Sequence, residues 1–142
     1  MQSYILWALL GMVGYSLTTL FTKLAERSGG VSSYMVLAVS SIIVAIFAIA
    51  IVGFRGELRP LIYDVEKGTL AWAIAGGIAL TVAVTSLFHA LSLGPANVVV
   101  PIYGMFILGG SLLGVMFLGE PMTWNKIVGL AAAVIGVVLI SI

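Results

Sequence analysis

Ser33 to Phe54 reads SYMVLAVSSIIVAIFAIAIVGF, a stretch with no charged side chain. Crossing about 30 Å of hydrocarbon takes about 20 mostly apolar residues, so this stretch is read as a transmembrane helix. Working outward, further apolar runs occupy Tyr4–Ala25 on one side and Thr69–Ser92, Pro95–Leu118 and Trp124–Ile142 on the other. The expected fold class is an all-α integral membrane protein, a five-transmembrane-helix bundle filling residues 1–142 as a single domain.

Hydrophobic residues make up 62% of the chain and charged residues 8%, a balance that excludes an ordinary soluble domain. The formal charge of +1 arises from six Lys/Arg and five Asp/Glu scattered at span ends, so no basic patch points to nucleic acid. With no cysteine and a single histidine, thiol catalysis, Cys-ligated metals and His clusters are excluded. Neither a metal nor a cofactor is expected. No basic segment precedes the first apolar run, which exceeds the core of a signal peptide and is therefore read as a retained span.

The breaks carry helix punctuation. Gly29 and Gly30 end the first span, and Ser32 or Ser33 can cap the second. Between Arg55 and Gly68, Leu58, Leu61, Ile62 and Val65 recur at helical spacing with Pro60 near the start, which fits either a short interfacial helix or a solvated loop. Leu93-Gly94 forms the third break, with Pro95 suited to open the next helix. Gly119 to Thr123 forms the fourth, with Thr123 as a cap. Tyr4, Trp7, Tyr34, Trp72 and Trp124 fall near span termini, as an interfacial belt requires.

Five crossings place the chain's ends on opposite sides of the bilayer, so an inverted companion is needed to build a site reachable from both faces. With the N-terminus in the cytoplasm, that side holds Arg55, Arg59, Lys67 and Lys126, against Lys23 and Arg27 opposite. The bias favours this orientation. It is weak, and with the odd span number it suggests dual topology or an antiparallel homodimer.

Polar residues inside the spans fall in columns. Tyr15, Thr18 and Thr22 share a face of the first span; Gly77, Thr81, Thr85 and His89 repeat every four residues in the third; Asn97, Pro101, Gly104 and Ser111 lie along the fourth, with Tyr103 beside them. Helix packing and substrate contact both explain such columns. His89 is the one titratable group far inside an apolar run, and its imidazole either bonds a backbone carbonyl or meets a substrate or proton. Pro101 withholds the N–H that the Asn97 carbonyl would accept, marking either a simple kink or a broken helix at a binding site. The candidate pathway comprises Tyr15, Thr18, Thr22, Thr81, Thr85, His89, Asn97, Pro101 and Tyr103. Gly110 and Gly114 form a GxxxG, and Gly129, Ala133 and Gly136 a small-residue strip, which together are the candidate dimer contact. Glu120 and Lys126 bracket the start of the last span as headgroup-level anchors, while Lys23, Glu26 and Arg27 read as snorkelling or hairpin charges.

The run Leu118-Gly-Glu-Pro-Met-Thr-Trp-Asn-Lys-Ile-Val-Gly129, followed by Gly136, resembles the end of the EamA repeat of the drug/metabolite transporter superfamily. His89-Ala-Leu-Ser-Leu-Gly-Pro-Ala-Asn, with Pro101 beyond it, resembles the junction of that repeat's third and fourth spans. The resemblance implies a five-span repeat, usually present twice per chain in opposite orientations around a cavity that passes small metabolites or amphipathic compounds. One repeat is half of such an inverted-repeat transporter fold and implies a partner. The related small multidrug exporters carry a membrane-embedded glutamate in their first span, whereas Tyr4 to Thr22 here contains no acid. A strongly cationic substrate is therefore disfavoured, and a neutral or zwitterionic metabolite, or facilitated diffusion, is expected instead.

Transport by an antiparallel homodimer with alternating access, in the cell (inner or plasma) membrane, is the first reading. A non-transporting assembly subunit, or the small partner of a heteromer, is the second. An intramembrane enzyme lacks a paired-carboxylate, metal or Ser/His/Asp constellation in the sequence.

Overall fold

The computed structural model describes residues 3–58 and 67–141. Among them lie six helices and no strand: α1 (Ser3–Arg27), α2 (Ser33–Phe54), α3 (Lys67–Leu93), α4 (Ala96–Gly104), α5 (Phe106–Leu118) and α6 (Trp124–Ser141). The interfacial helix expected around Leu61, Ile62 and Val65 lies outside the described residues.

Four segments are long and apolar enough to cross a bilayer: Ser3–Arg27, Ser33–Phe54, Gly68–Leu93 and Ala96–Leu118. The second matches its expected bounds residue for residue. α6 is apolar but has 18 residues, about 27 Å at 1.5 Å per residue, which sits at the short end of the spanning range. The protein is thus an all-helical membrane protein with four to five helices of spanning character.

Local chemistry explains the ends of these helices. Gly29 (φ 84°) and Gly30 (φ 90°) take left-handed conformations that a side chain would resist, and they terminate α1. Ser32 then adopts an extended conformation and its hydroxyl accepts the Met35 N–H, satisfying one of the orphan donors of α2. Pro95, expected as the first helical residue, stands instead at the N-cap of α4 (φ −70°, ψ 142°), and the helix begins one residue later at Ala96. The Pro95 carbonyl accepts the Val98 and Val99 N–H groups, a role that needs no N–H of its own.

The expected interruption at Pro101 falls one turn later. α4 continues through Pro101 to Gly104 and the break is at Met105, where the Met105 N–H bonds the Ile102 carbonyl and the Leu108 N–H bonds the Met105 carbonyl. These tighter i to i−3 bonds mark a 3₁₀-like turn between two helical segments. Proline disturbs the turn before it, and the poor helix former Gly104 supplies the weak point. α5 ends at Gly119 (φ 66°), whose αL conformation lets the Glu120 N–H reach back to the Gly114 carbonyl.

The chain forms two compact units, Met1–Leu93 and Gly94–Ile142. In the first, α2 packs against both α1 and α3; in the second, α4 packs against α6. Among the described residues, buried side chains are few: Leu87, Phe88 and Leu91 from the last turns of α3, with Thr19, Thr22 and Ser33. Most of α2 is exposed, a surface that water would penalise heavily and lipid does not, because acyl chains are as apolar as leucine.

Candidate functional site

The C-terminal turns of α1 and α3 meet the first turn of α2, and there the first unit gathers its polar side chains. Lys23 Nζ lies 3.2 Å from Glu26 Oε2 and also donates to the Leu91 carbonyl. That carbonyl belongs to the last four of α3, which have no partner in their own helix, and a cation at a helix C-terminus is favoured by the macrodipole. Glu26 in turn accepts from the buried Ser33 hydroxyl across the Gly29-Gly30 turn. Lys23, Glu26 and Ser33 thus tie three helices together, where the sequence suggested snorkelling or hairpin charges.

One turn away, Tyr34 Oη and His89 Nδ1 are 2.6 Å apart, with the two rings stacked at 5.9 Å and 27°. Ser92 donates to the His89 carbonyl at 2.7 Å. His89 therefore engages the Tyr34 phenol through its ring, rather than a backbone carbonyl, and the residue remains exposed. Tyr34 was read from the sequence as a belt aromatic. Its partner is 55 residues distant, and the signal that could have joined them is topological: the start of a second span and the end of a third share one membrane side.

The hydroxyl columns divide by their bonding. Thr18 donates to Gly14 O at 3.0 Å, Thr22 to Thr18 O at 2.8 Å and Thr81 to Gly77 O at 2.8 Å. These protons stay inside their own helices, the usual back-bonding of threonine, and leave lone pairs to accept. Thr22 is fully buried and Thr18 half-buried, whereas Tyr15, Thr81 and Thr85 are exposed. Along α3, Thr81, Thr85 and His89 stand on one face at intervals of about 6 Å, an exposed polar column on a helix otherwise suited to lipid.

In the second unit Asn97 is exposed, while Pro101 and Tyr103 are half-buried. The Tyr103 ring lies 5.9 Å from that of Phe106, tilted by 57° across the Met105 break. Gly110, Gly129 and Gly136 face open space, with nothing within 4 Å of an added Cβ. Gly114 differs, because a Cβ there would stand 3.1 Å from Glu120 Oε2. Its face is filled from within the chain. Ala133 is half-buried.

The family model for the EamA-like transporter family matches residues 2–142. The chain belongs to the EamA-like transporter family. An uncharacterized protein of Methanocaldococcus jannaschii is 25% identical over 142 residues, covering 100% of this chain and 98% of the relative. An uncharacterized transporter in the cobO 3′ region of Sinorhizobium sp is 26% identical over 141 residues, covering 99% and 98% respectively. No solved structure matches at a significant level. Family and helices together make this EamA-family chain a multi-pass membrane protein, and the family points to transport rather than catalysis.

Proposed function

We propose that this EamA-family chain carries a small neutral or zwitterionic molecule across the cell membrane, as an antiparallel, dual-topology homodimer working by alternating access. The observation that carries the reading is the exposed column of Thr81, Thr85 and His89 along an apolar span. Exposed polar groups at membrane depth belong against a partner, a cavity or a passing solute. Among the described residues no hydrogen bond engages the Thr85 hydroxyl, and His89 retains Nε2 beyond its Tyr34 contact. Both can therefore serve a solute without first breaking an internal bond. Asn97, Pro101 and Tyr103 complete the proposed pathway, and the absence of any acid from Tyr4 to Thr22 disfavours cations. The expected odd number of spans favours a protein that completes its cavity by pairing with an inverted companion, with the N-terminus cytoplasmic in the favoured orientation.

Flux into liposomes containing the purified protein tests the reading, using a panel of labelled neutral and zwitterionic solutes. Wild-type protein should move at least one of them, and His89→Ala and Thr85→Val should slow that flux. A second reading, a non-transporting subunit, draws on the back-bonded Thr18, Thr22 and Thr81, which need no solute to satisfy them. Liposomes impermeable to the whole panel would favour it.

A further inference from the structure

The second unit holds a cleft that the proposed solute path does not use. It has a volume of about 340 Å³ and is lined by Ile107, Ser111, Val115, Met122, Gly129 and Leu130, together with Glu120 and Lys126. Both charged residues follow the end of α5, at the depth where a span gives way to headgroups. Ile107 and Ser111 lie two to three turns further into that span. The cleft therefore runs from the interface into the apolar layer.

Its two charges are not spent on each other. The ion pairs among the described residues are Lys23 with Glu26 and Arg55 with Glu57. Lys126 Nζ instead donates to the Pro121 carbonyl at 3.0 Å, which leaves further N–H donors. The Glu120 carboxylate is folded back against Gly114, where only a glycine leaves it room without crowding. An anion and a cation thus share one small cavity with an apolar floor.

We propose that this cleft binds the headgroup of an aminophospholipid, with its primary ammonium on Glu120, its phosphate on Lys126 and the roots of its acyl chains along Ile107, Val115 and Leu130. Charge-assisted hydrogen bonds form on both sides, and neither side chain needs to be buried unpaired. Pockets that hold small ligands run from about 300 to 1,000 Å³; this one accepts a headgroup but not a whole lipid, whose chains must trail into the bilayer. A headgroup with a quaternary amine has no N–H for Glu120. One without a cation meets repulsion there.

The test is native mass spectrometry of the purified full-length protein in detergent, titrated with dioleoyl phosphatidylethanolamine, phosphatidylcholine or phosphatidylglycerol. Wild-type protein should retain phosphatidylethanolamine at least fivefold better than the other two. Glu120→Gln should lower its retention to that of phosphatidylcholine, and Lys126→Met should weaken all three lipids together. Equal retention of the three lipids by wild-type protein overturns the proposal, whatever the variants do. So does an undiminished preference in a Glu120→Gln protein of normal helicity, or displacement of the lipid by soluble phosphoethanolamine at matching concentration, which would make the cleft a site for a free solute.

Discussion

The Tyr34 hydroxyl and His89 Nδ1 are held 2.6 Å apart, with their rings stacked. This contact joins the first turn of α2 to the last turns of α3 and fixes the chain's single imidazole. A phenol is a good hydrogen-bond donor, and a neutral imidazole has one acceptor nitrogen. If the phenol donates, Nδ1 accepts and the proton resides on Nε2; in the other tautomer Nδ1–H donates to the phenol oxygen and Nε2 is the acceptor.

A single histidine makes the tautomer directly measurable. Nitrogen NMR of the imidazole in wild-type protein tells the two apart, and the Nε2–H form is the one expected from a donating phenol. Tyr34→Phe keeps the ring stack and deletes the hydroxyl, so a mixture of tautomers should appear, with a stability loss of about 1 kcal/mol or less. Flux should also fall if Nε2 meets the solute. An unchanged nitrogen spectrum would show that Tyr34 does not orient the ring.

The Lys23, Glu26 and Ser33 cluster predicts non-additive stability. Lys23→Met leaves the Leu91 carbonyl and one Glu26 oxygen without their cation, and Ser33→Ala removes the donor to the other oxygen. Each is expected to destabilise the first unit by about 1–3 kcal/mol. The pair Lys23→Met with Glu26→Gln should cost less than the sum of its singles, because neither charge is then left alone. Denaturant titrations in mixed micelles would measure the cycle, and strict additivity would contradict a coupled cluster.

How much of this was legible in the chain depended on the range of the signal. α2 could be bounded to the residue because a charge-free run lies between the Gly29-Gly30 pair and Arg55, and no packing partner is needed to decide it. Pro101 told of an interruption in the fourth span but not its place, since the backbone yielded at Met105, where Gly104 weakens the helix. The contacts of Lys23 with Leu91 and of Tyr34 with His89 were beyond periodicity altogether. They depend on which span ends share a side, and residue spacing along one helix carries no such information. Gly114 was read as half of an association motif, and the contact that spacing along the helix did not reveal is that of Glu120 from the next break, which lies against it.

That difference among the glycines bears on the proposed dimer. Gly110 and Gly136 have open space where a Cβ would stand, so a larger side chain there costs the free chain little and obstructs a neighbour. Gly110→Leu and Gly136→Leu should each weaken self-association by about 1–3 kcal/mol, the usual cost of overpacking a close contact, while leaving helicity intact. Energy transfer between labelled copies in liposomes reads this. Undiminished transfer in both variants would remove these faces from the interface.

Pro101 tests whether the irregular fourth span is a functional cost. The residue sits inside α4 with no N–H for the Asn97 carbonyl, and interior proline disfavours a helix by about 3 kcal/mol relative to alanine. Pro101→Ala supplies the missing donor, so the second unit should become more resistant to heat by up to about that amount. A straighter helix would also shift Tyr103 and the Met105 turn away from their present setting. If the break shapes the solute path, the more stable variant should transport more slowly, the exchange of stability against activity expected where strain serves function. Thermal unfolding and liposome flux on the same preparation decide the matter: a stabilised variant with full flux would reduce Pro101 to a kink without a role.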